Sequence, residues 1–339
     1  AWQARPPGGT RAIDPGVPAD SELLDARGCA TCHAEIAREW SQSRHALAWT
    51  NGIFQREYSA RPQPWCINCH APLTTQQQAL DGARAAQGVD CATCHVRGGR
   101  LVSARRSNRS PHGTIADASF GTPAFCADCH QFTFPVLDET GRATAMTAHP
   151  MQTTVSSFAA GPFAHERDGC MTCHGSPRGH AFPGAHDRGM REAALELSWC
   201  RAGDALVVDV KNVAAGHTVP TGDIHRHLYL RVWRASAPEA MFQAFFGRRF
   251  EPADGGGKHT VWDSTIAPGE TKSFDVGLAA LAGEPGEPVN IELVYVFIES
   301  EFPRTSSEPS TASIRRERVE TLPSCAIDRA RNRSAQRDR

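Results

Sequence analysis

Ten of the 12 cysteines in this chain fall into five copies of one pattern, in which two cysteines are separated by two residues and followed at once by a histidine. The copies are Cys29-Ala-Thr-Cys32-His33, Cys66-Ile-Asn-Cys69-His70, Cys91-Ala-Thr-Cys94-His95, Cys126-Ala-Asp-Cys129-His130 and Cys170-Met-Thr-Cys173-His174. Two thiols at this spacing can each add to one vinyl group of the same porphyrin, and the next residue then places an imidazole under the iron. The pattern therefore predicts five covalently attached haem c groups, with the motif histidines as proximal ligands.

Two other uses of paired cysteines fit this pattern less well. A zinc ribbon also contains C-x-x-C, but it does not need a histidine after every second cysteine. A disulfide framework would leave the histidines unexplained. Thioether attachment takes place outside the bacterial cytoplasm, so we expect a periplasmic or extracellular protein. In that oxidising compartment Cys200 and Cys325, which lie outside the motifs, can pair, but the sequence leaves open whether they do.

Each haem iron needs a sixth ligand or an open position. The chain has 15 histidines, so ten remain after the proximal set, against only five methionines, one of which lies inside a motif. This balance favours bis-histidine ligation. The histidines predicted as distal ligands are His45, His112, His180, His186 and His217. His149 and His165 are reserves, and His259 reads as an exposed residue of a β-domain.

The prediction for His217 depends on its setting in the stretch Val213–His227, which contains three histidines but no cysteine. The segment AAGHTVPTG joins two predicted strands, and its glycines and proline favour a projecting loop that could present the imidazole to a haem. His225 and His227 are interpreted as strand residues or as contacts to haem propionates. A separate metal site here is disfavoured, because only Asp223 is available to complete a ligand set.

The elements that position these residues change character along the chain. Residues 20–190 carry all five motifs at unequal intervals, which predicts a haem-packed domain of short helices and long loops after an N-terminal extension, 1–19. Helices are expected over 34–49, which includes His45, and over 74–88. Residues 191–313 contain short alternating stretches such as ALVVDVKNV and HLYLRVWR, which predict an antiparallel β-sandwich. Residues 314–339 read as a basic tail. The predicted fold class is thus α+β and multidomain.

Composition excludes several classes of function. The net charge of −1 means that the protein lacks the overall positive charge that attracts nucleic acid, so nucleic-acid binding is not expected. The longest apolar runs, such as LVYVFI, are too short to cross a bilayer, so no transmembrane segment is expected. The chain opens without a basic and apolar leader, which we interpret as a mature exported protein.

Several longer stretches resemble one group of multihaem cytochromes c, the group that includes the tetrahaem electron-transfer partner of hydroxylamine oxidoreductase. These stretches are CATCHAEIAREWSQSRHA, FCADCHQF, MQTTVSSF, GCMTCH, HAFPGAHD and NVAAGHTVPTGD. The resemblance implies electron transfer through closely packed haems, with distal histidines at the matching positions His45, His112, His180, His186 and His217. The fifth motif and the β-domain depart from the tetrahaem pattern.

An electron carrier is favoured over an enzyme. Pentahaem nitrite reductases generally use a lysine as proximal ligand, whereas all five motifs here end in histidine. Hydroxylamine oxidoreductases cross-link a tyrosine to the catalytic haem, and the three tyrosines of this chain have no suggestive position. The expected partners are redox proteins: other cytochromes, or a quinone-linked or metal-reducing system. The alternatives are a haem oxidoreductase that acts on small nitrogen or sulfur compounds, and a subunit of a homo-oligomer or extracellular cytochrome filament.

Overall fold

The computed structural model describes residues 12–108, 112–140, 143–165, 169–175, 179–254, 256–298 and 311–325. The chain divides into two units. The first runs to Gly184 and also includes Phe250–Thr260, and the second contains Ala185–Arg249 and the described residues from Val261 onward. The second unit therefore begins a few residues before the boundary at 190 that the sequence suggests.

Short helices separated by turns form most of the first unit. They are α1 (Ala26–Ala30), α2 (Ala34–Ser41), α3 (Gly52–Ala60), α4 (Pro64–His70), α5 (Thr74–Gln77), α6 (Cys91–His95), α7 (Pro123–His130), α8 (Thr154–Ala160) and α9 (Met171–His174). Its strands are β1 (Val96–Arg97), β2 (Arg100–Ser103) and β3 (Ile115–Ala116), which form one small sheet, and β4 (Gln131–Leu137) with β5 (Ala143–Thr153), which form an antiparallel hairpin.

The apolar clusters of the first unit are small. One contains Leu24, Leu73, Ala92 and Val96, and another contains Trp49, Ala71 and Ala85. Such clusters bury little apolar surface for a unit of this length, and burial of apolar surface is the main stabilising contribution to folding. That cofactors supply much of the core of this domain stays a prediction.

The second unit is an antiparallel β-sandwich. After α10 (Arg188–Ala194), its strands are β6 (Leu195–Ala202), β7 (Ala205–Asn212), β8 (His227–Arg234), β9 (Phe242–Phe246), β10 (Arg248–Pro252), β11 (Lys258–Asp263), β12 (Thr271–Gly277), β13 (Val289–Val296) and β14 (Thr311–Val319). One sheet has the order β12-β7-β6 and the other β14-β13-β8-β9. The strands β10 and β11 form a hairpin whose tip, Phe250–Thr260, belongs to the first unit.

Alternation of side chains places one large core between the two sheets. Leu228, Leu230 and Val232 of β8 are fully buried in it, beside Leu206 and Val208 of β7. Because successive side chains of a strand point to opposite faces, this pattern is what a sandwich strand requires. The predicted fold class, α+β with an antiparallel β-sandwich, is confirmed.

The last sandwich strand lies partly in the stretch that reads as a tail. β14 pairs antiparallel with β13 and carries Ile314 and Val319 into the core. Beyond it, the backbone N–H of Arg201 donates to the carbonyl of Pro323, and the carbonyl of Arg201 accepts from the N–H of Cys325. Cys200 forms a disulfide with Cys325. The pairing that the sequence left open is therefore present. Residues 326–339 of the basic tail lie outside the described residues.

The helix predicted over 34–49 is shorter in the structure. α2 ends at Ser41, and residues 42–50 form turns. Val89 donates its backbone N–H to the carbonyl of His45 (3.0 Å), and a Cβ added to Gly88 would lie 2.6 Å from the same oxygen. Tertiary hydrogen bonding thus replaces helical bonding here, because a neighbouring segment takes up the carbonyl that a continued helix would use. The second predicted helix, 74–88, is reduced in the same way to α5 and a 3-10 turn at Ala85–Gln87.

Within the described part of the chain, no helix has the length and apolar character needed to span a bilayer.

Candidate haem-binding site

Each of the five motifs is folded into about one turn of helix. The motif cysteines and histidines lie in or directly beside α1, α4, α6, α7 and α9. In the first and last motifs the backbone N–H of the histidine donates to the carbonyl of the first cysteine, at 2.9 Å in both. Residues three and four positions apart share one face of a helix. The two thiols and the imidazole of each motif therefore project from the same side, as attachment to one porphyrin requires.

Local sequence fixes where these turns begin. Pro64 and Pro123 occupy the first turn of α4 and α7, where a missing N–H costs nothing. Asp90 caps α6 by accepting hydrogen bonds from the backbone N–H and the hydroxyl of Thr93. Burial raises the pKa of Asp90 to about 6. Asp25 caps α1, and its carboxylate also binds the guanidinium of Arg27, which lowers the pKa of Asp25 to about 2.

Three proximal imidazoles are oriented by backbone carbonyls. The Nδ1 atom of His70 lies 2.6 Å from the carbonyl oxygen of Ala48. The Nδ1 atom of His95 lies 3.0 Å from the carbonyl oxygen of Val102, and that of His174 lies 2.6 Å from the carbonyl oxygen of Pro183. Because a carbonyl can only accept, Nδ1 must carry the proton, and the lone pair is left on Nε2. This is the arrangement in which metal-binding histidines are held by a partner on the other ring nitrogen.

Three of the predicted distal histidines each lie beside a motif histidine. Ring centroids are 6.0 Å apart for His33 and His112, 6.2 Å for His45 and His130, and 6.2 Å for His95 and His180. Two imidazoles bound to one metal at about 2 Å per metal–nitrogen bond place their centroids about 6 Å apart. The three pairs therefore have the separation that bis-histidine ligation of an iron needs.

His45 is the most enclosed of these candidates. Burial, with smaller contributions from the neighbouring His130 and His174, lowers the pKa of His45 to about 4. The edge of Phe182 also packs against the ring, with centroids 4.5 Å apart. A neutral imidazole keeps a lone pair for a metal, whereas an imidazolium has none. His45 thus suits a ligand, although it sits on a turn rather than on the helix that the sequence predicts.

The motifs themselves adjoin one another through their cysteines. The side chains of Cys29 and Cys91 lie within hydrogen-bonding distance, which places the first motif beside the third. Cys69 and Cys129 place the second motif beside the fourth in the same way, and Cys126 and Cys170 place the fourth beside the fifth. Cys94 of the third motif also lies near Cys129 of the fourth. All five motifs therefore form one connected cluster.

The residues present fit a porphyrin bound at this cluster. Within the described residues, the Nη1 atom of Arg84 and the indole Nε1 atom of Trp65 are buried without a hydrogen-bond partner. Buried donors of this kind are costly unless an acceptor satisfies them. The carboxylates of haem are suitable acceptors, because a guanidinium binds carboxylate especially well. The motif cysteines, the oriented imidazoles and the unpaired buried donors are therefore all compatible with bound haem.

His217 is held in a defined loop of the second unit. The buried side chain of Asn212 donates to the carbonyls of His217 (3.0 Å) and Ile266 (3.1 Å), and it accepts from the N–H of Ala215. The Nδ1 atom of His217 lies 2.9 Å from the carbonyl of Thr218, which leaves the lone pair on Nε2. The loop is therefore rigid, and the imidazole has the tautomer of a ligand.

The other histidines of the second unit have different surroundings. The ring of His186 stacks on Phe297 at 4.2 Å, and its Nε2 atom lies 3.4 Å from a guanidinium nitrogen of Arg226. Ligation through Nε2 would have to displace that contact. His227 is buried within β8 and packs edge-on against Tyr229, as a core strand residue does.

Sequence reasoning missed the groups that orient the ligands. The carbonyls of Ala48, Val102 and Pro183 carry no signal in the sequence, because every residue has a carbonyl. Asn212 carries a weak signal, since a polar residue ends β7 just before the loop that contains His217.

Comparisons with known proteins agree with these observations. Residues 28–96, which include the first three motifs, match the model of the family described as cytochrome c554 and c-prime. No curated protein matches the chain. Among solved structures, the chain is similar to a penta-heme cytochrome c552 from Thermochromatium tepidum, with a TM-score of 0.65 and 19% sequence identity. That similarity covers 89% of this chain and 100% of the other, and it shows a shared fold.

Proposed function

We propose that this chain, a multihaem c-type cytochrome, transfers electrons between redox partner proteins through five covalently attached haem c groups. The observation that carries the proposal is the single cluster of five motifs, in which three motif histidines each face a second imidazole at about 6 Å. Such a cluster would give an electron a continuous route along neighbouring sites.

The residues take the following roles in this proposal. The ten motif cysteines anchor the porphyrins, and His33, His70, His95, His130 and His174 are the proximal ligands. The distal ligands are His45, His112 and His180, to which the sequence adds His186 and His217. Haem c supplies an iron that accepts or gives one electron at a time.

The protein's own contribution is to keep both ligands fixed. Carbonyls of Ala48, Val102 and Pro183 hold the proximal rings of three motifs in one tautomer and orientation. A ligand set that stays the same in both oxidation states needs little rearrangement when an electron arrives. Two firmly held imidazoles also leave no coordination position for a substrate, which favours electron transfer over catalysis.

The finer resemblance, to the group that includes the tetrahaem partner of hydroxylamine oxidoreductase, belongs to the same proposal. It rests on motifs such as HAFPGAHD and NVAAGHTVPTGD, which lie outside the residues that the family model matches. On this basis the protein is exported, acts in the periplasm or outside the cell, and exchanges electrons with another cytochrome or with a quinone-linked or metal-reducing system.

A kinetic experiment separates a carrier from an enzyme. Reduced protein is mixed rapidly with ferricyanide, a one-electron acceptor, and separately with nitrite or hydroxylamine. We expect fast oxidation of all haems by ferricyanide and no turnover of either nitrogen compound. Sustained turnover of nitrite or hydroxylamine would replace the carrier with a haem oxidoreductase.

A further inference from the structure

A fourth pair of histidines in the first unit has the same spacing as the three pairs described above. The ring centroids of His149 on β5 and His259 on β11 are 5.8 Å apart, with the ring planes at 49°. Neither residue belongs to a C-x-x-C-H motif, and neither strand contains a cysteine. The pair therefore cannot be the proximal and distal ligands of one haem, because neither residue is a motif histidine.

Two hairpins bring the pair together and hold it. Phe250, in the middle of β10, packs edge-on against Phe134 of β4, with centroids 5.2 Å apart. At the hairpin tip Gly257 has a φ of +72°, and a Cβ there would lie 2.7 Å from the methyl group of Thr147. The tip thus lies close against the β4–β5 hairpin at a position that only glycine suits. Contacts on both sides fix the distance between the two imidazoles before any ligand binds.

The distance suits a metal ion between the rings. Imidazoles at about 2 Å from a shared metal have centroids from about 5 to 6 Å apart, depending on the angle between the bonds. His149 is exposed and His259 is partly exposed, so an ion can enter from solution. Within the described residues, no group of three or more histidine, cysteine, aspartate or glutamate side chains gathers around a potential metal position. The protein would therefore supply two ligands, and water would complete the coordination.

We propose that His149 and His259 form a binding site for a divalent transition metal ion, with Cu²⁺ preferred over Ni²⁺ and Zn²⁺. Imidazole is a good ligand for all three ions, and affinities of nitrogen sites rise along the series to Cu²⁺. A site with two protein ligands and water binds an exchangeable ion, unlike the closed four-ligand sites that stabilise folds. The site is independent of the haem cluster in its ligands.

The test uses oxidised protein with its haems attached, so that Cu²⁺ cannot take electrons from the iron. CuCl₂ and, separately, ZnCl₂ are titrated by isothermal calorimetry, and the Cu²⁺ EPR signal reports nitrogen ligation. The variants are His149→Gln, His259→Gln and the double variant. Ala148→Gln, which changes the exposed neighbour of His149 on β5, is the matched control.

We expect one copper site in the parent protein and in the control. Each single variant should bind Cu²⁺ at least tenfold more weakly, since loss of even an indirect partner of a metal site costs about 10–100-fold. The double variant should lose little more than either single variant, because both ligands act on one ion. Unchanged affinity in both single variants would overturn the proposal, as would an equal loss in the control. A change in haem spin state in His149→Gln would also overturn it, because His149 would then be an axial ligand of iron.

Discussion

An imidazole offers a metal only the ring nitrogen that lacks a proton, so the partner of the other nitrogen decides how the ring is presented. In His70 and His174 the Nδ1–H is held by a backbone carbonyl at 2.6 Å. Both rings therefore present Nε2, and the backbone carbonyls set their orientation. Side-chain changes elsewhere cannot easily remove such carbonyl partners, which makes this part of the site robust.

Replacing one distal histidine should change one haem. We predict that His45→Ala converts a single haem from low-spin to high-spin iron and lets it bind cyanide, because His45 is the second imidazole beside His130. EPR spin counting and cyanide titration measure both effects. The control is Gln42→Ala, which changes an exposed residue directly after α2 and should leave the spin state of every haem unchanged. Five low-spin haems in His45→Ala would show that His45 is a structural residue.

The residues that attach haem could be predicted from the sequence, because the attachment chemistry requires particular residue types at a fixed spacing. Thioether attachment needs two cysteines and a histidine at one spacing, so the motif residues could be recognised directly. The partner of each distal histidine could not be predicted, because His45 lies close in sequence to His33 yet faces His130. That choice depends on how the turns after α2 are held by the segment at Gly88 and Val89, which a linear pattern does not contain.

Single helical turns position the haem motifs, and short helices depend strongly on their caps. Asp25 caps α1 at the first motif through the N–H of Arg27 and also binds the Arg27 guanidinium. The helix of the fourth motif instead begins with Pro123. Asp25 and Pro123 thus begin a helical turn in different ways, by a side-chain cap and by a proline in the first turn. For this reason no common capping residue precedes the motifs in the sequence.

The Asp25 cap should make stability depend on pH. Its folded pKa of about 2 is below the ordinary 3.8, so its contribution is complete above about pH 4 and is lost as pH falls toward 2. We predict that Asp25→Ala lowers the free energy of unfolding by about 1 kcal/mol at neutral pH. Asp25→Asn should keep the cap and flatten the acid dependence. Acid titrations followed by circular dichroism measure this, and an acid transition identical in Asp25→Asn and the parent would contradict it.

The loop that carries His217 depends on one buried amide. Asn212→Ala should cost about 1–3 kcal/mol, because the carbonyls of His217 and Ile266 lose a donor inside the protein. Chemical denaturation of the holoprotein measures the loss. Lys211→Ala, on the exposed face of the same strand, is the control and should change stability little. A loss equal to that of the control would mean that solvent replaces the amide.

Strands were predicted well and helices less so. β8 was predictable because Leu228, Leu230 and Val232 recur at every second position, as one face of a strand requires, and β7 because of its short apolar run. The helix from 34 to 49 was predicted eight residues too long, because helical propensity extends past Ser41 while tertiary bonds to His45 end the helix. β14 was missed since its arginine- and glutamate-rich outer face resembles a solvated tail.

At the scale of the whole molecule, the two units are stabilised in different ways. The sandwich has a large continuous apolar core, whereas the haem-carrying unit has small clusters around its motifs. The disulfide joins Cys200 of β6 to Cys325 after β14, across a separation of 125 residues. It thereby connects one sheet of the sandwich to the segment that follows the other.

Removing the disulfide should destabilise the sandwich. We predict that Cys200→Ser with Cys325→Ser lowers the free energy of unfolding of the second unit by about 2–5 kcal/mol, because the unfolded chain gains the freedom of a long open loop. Denaturation followed by tryptophan fluorescence measures the change. Treating the parent protein with a reductant provides the comparison and should give a similar loss. Equal stability of variant and parent would show that the bond adds nothing to folding.

The filament alternative is also a question about the whole molecule. Light scattering and electron microscopy of native material distinguish a carrier from a polymer. We expect discrete particles of low mass, since the 15 histidines of one chain suffice to give each of five irons two ligands. Long regular assemblies would instead favour the cytochrome filament.

The central claim is that the haems are held mainly by two histidines each and leave no open iron for a substrate. Quantitative EPR of the fully oxidised protein, with and without excess cyanide, tests it most directly. The account predicts signals dominated by low-spin ferric haem and almost unchanged by cyanide. A stoichiometric high-spin signal that disappears rapidly as cyanide binds would contradict it and would point to an open catalytic haem.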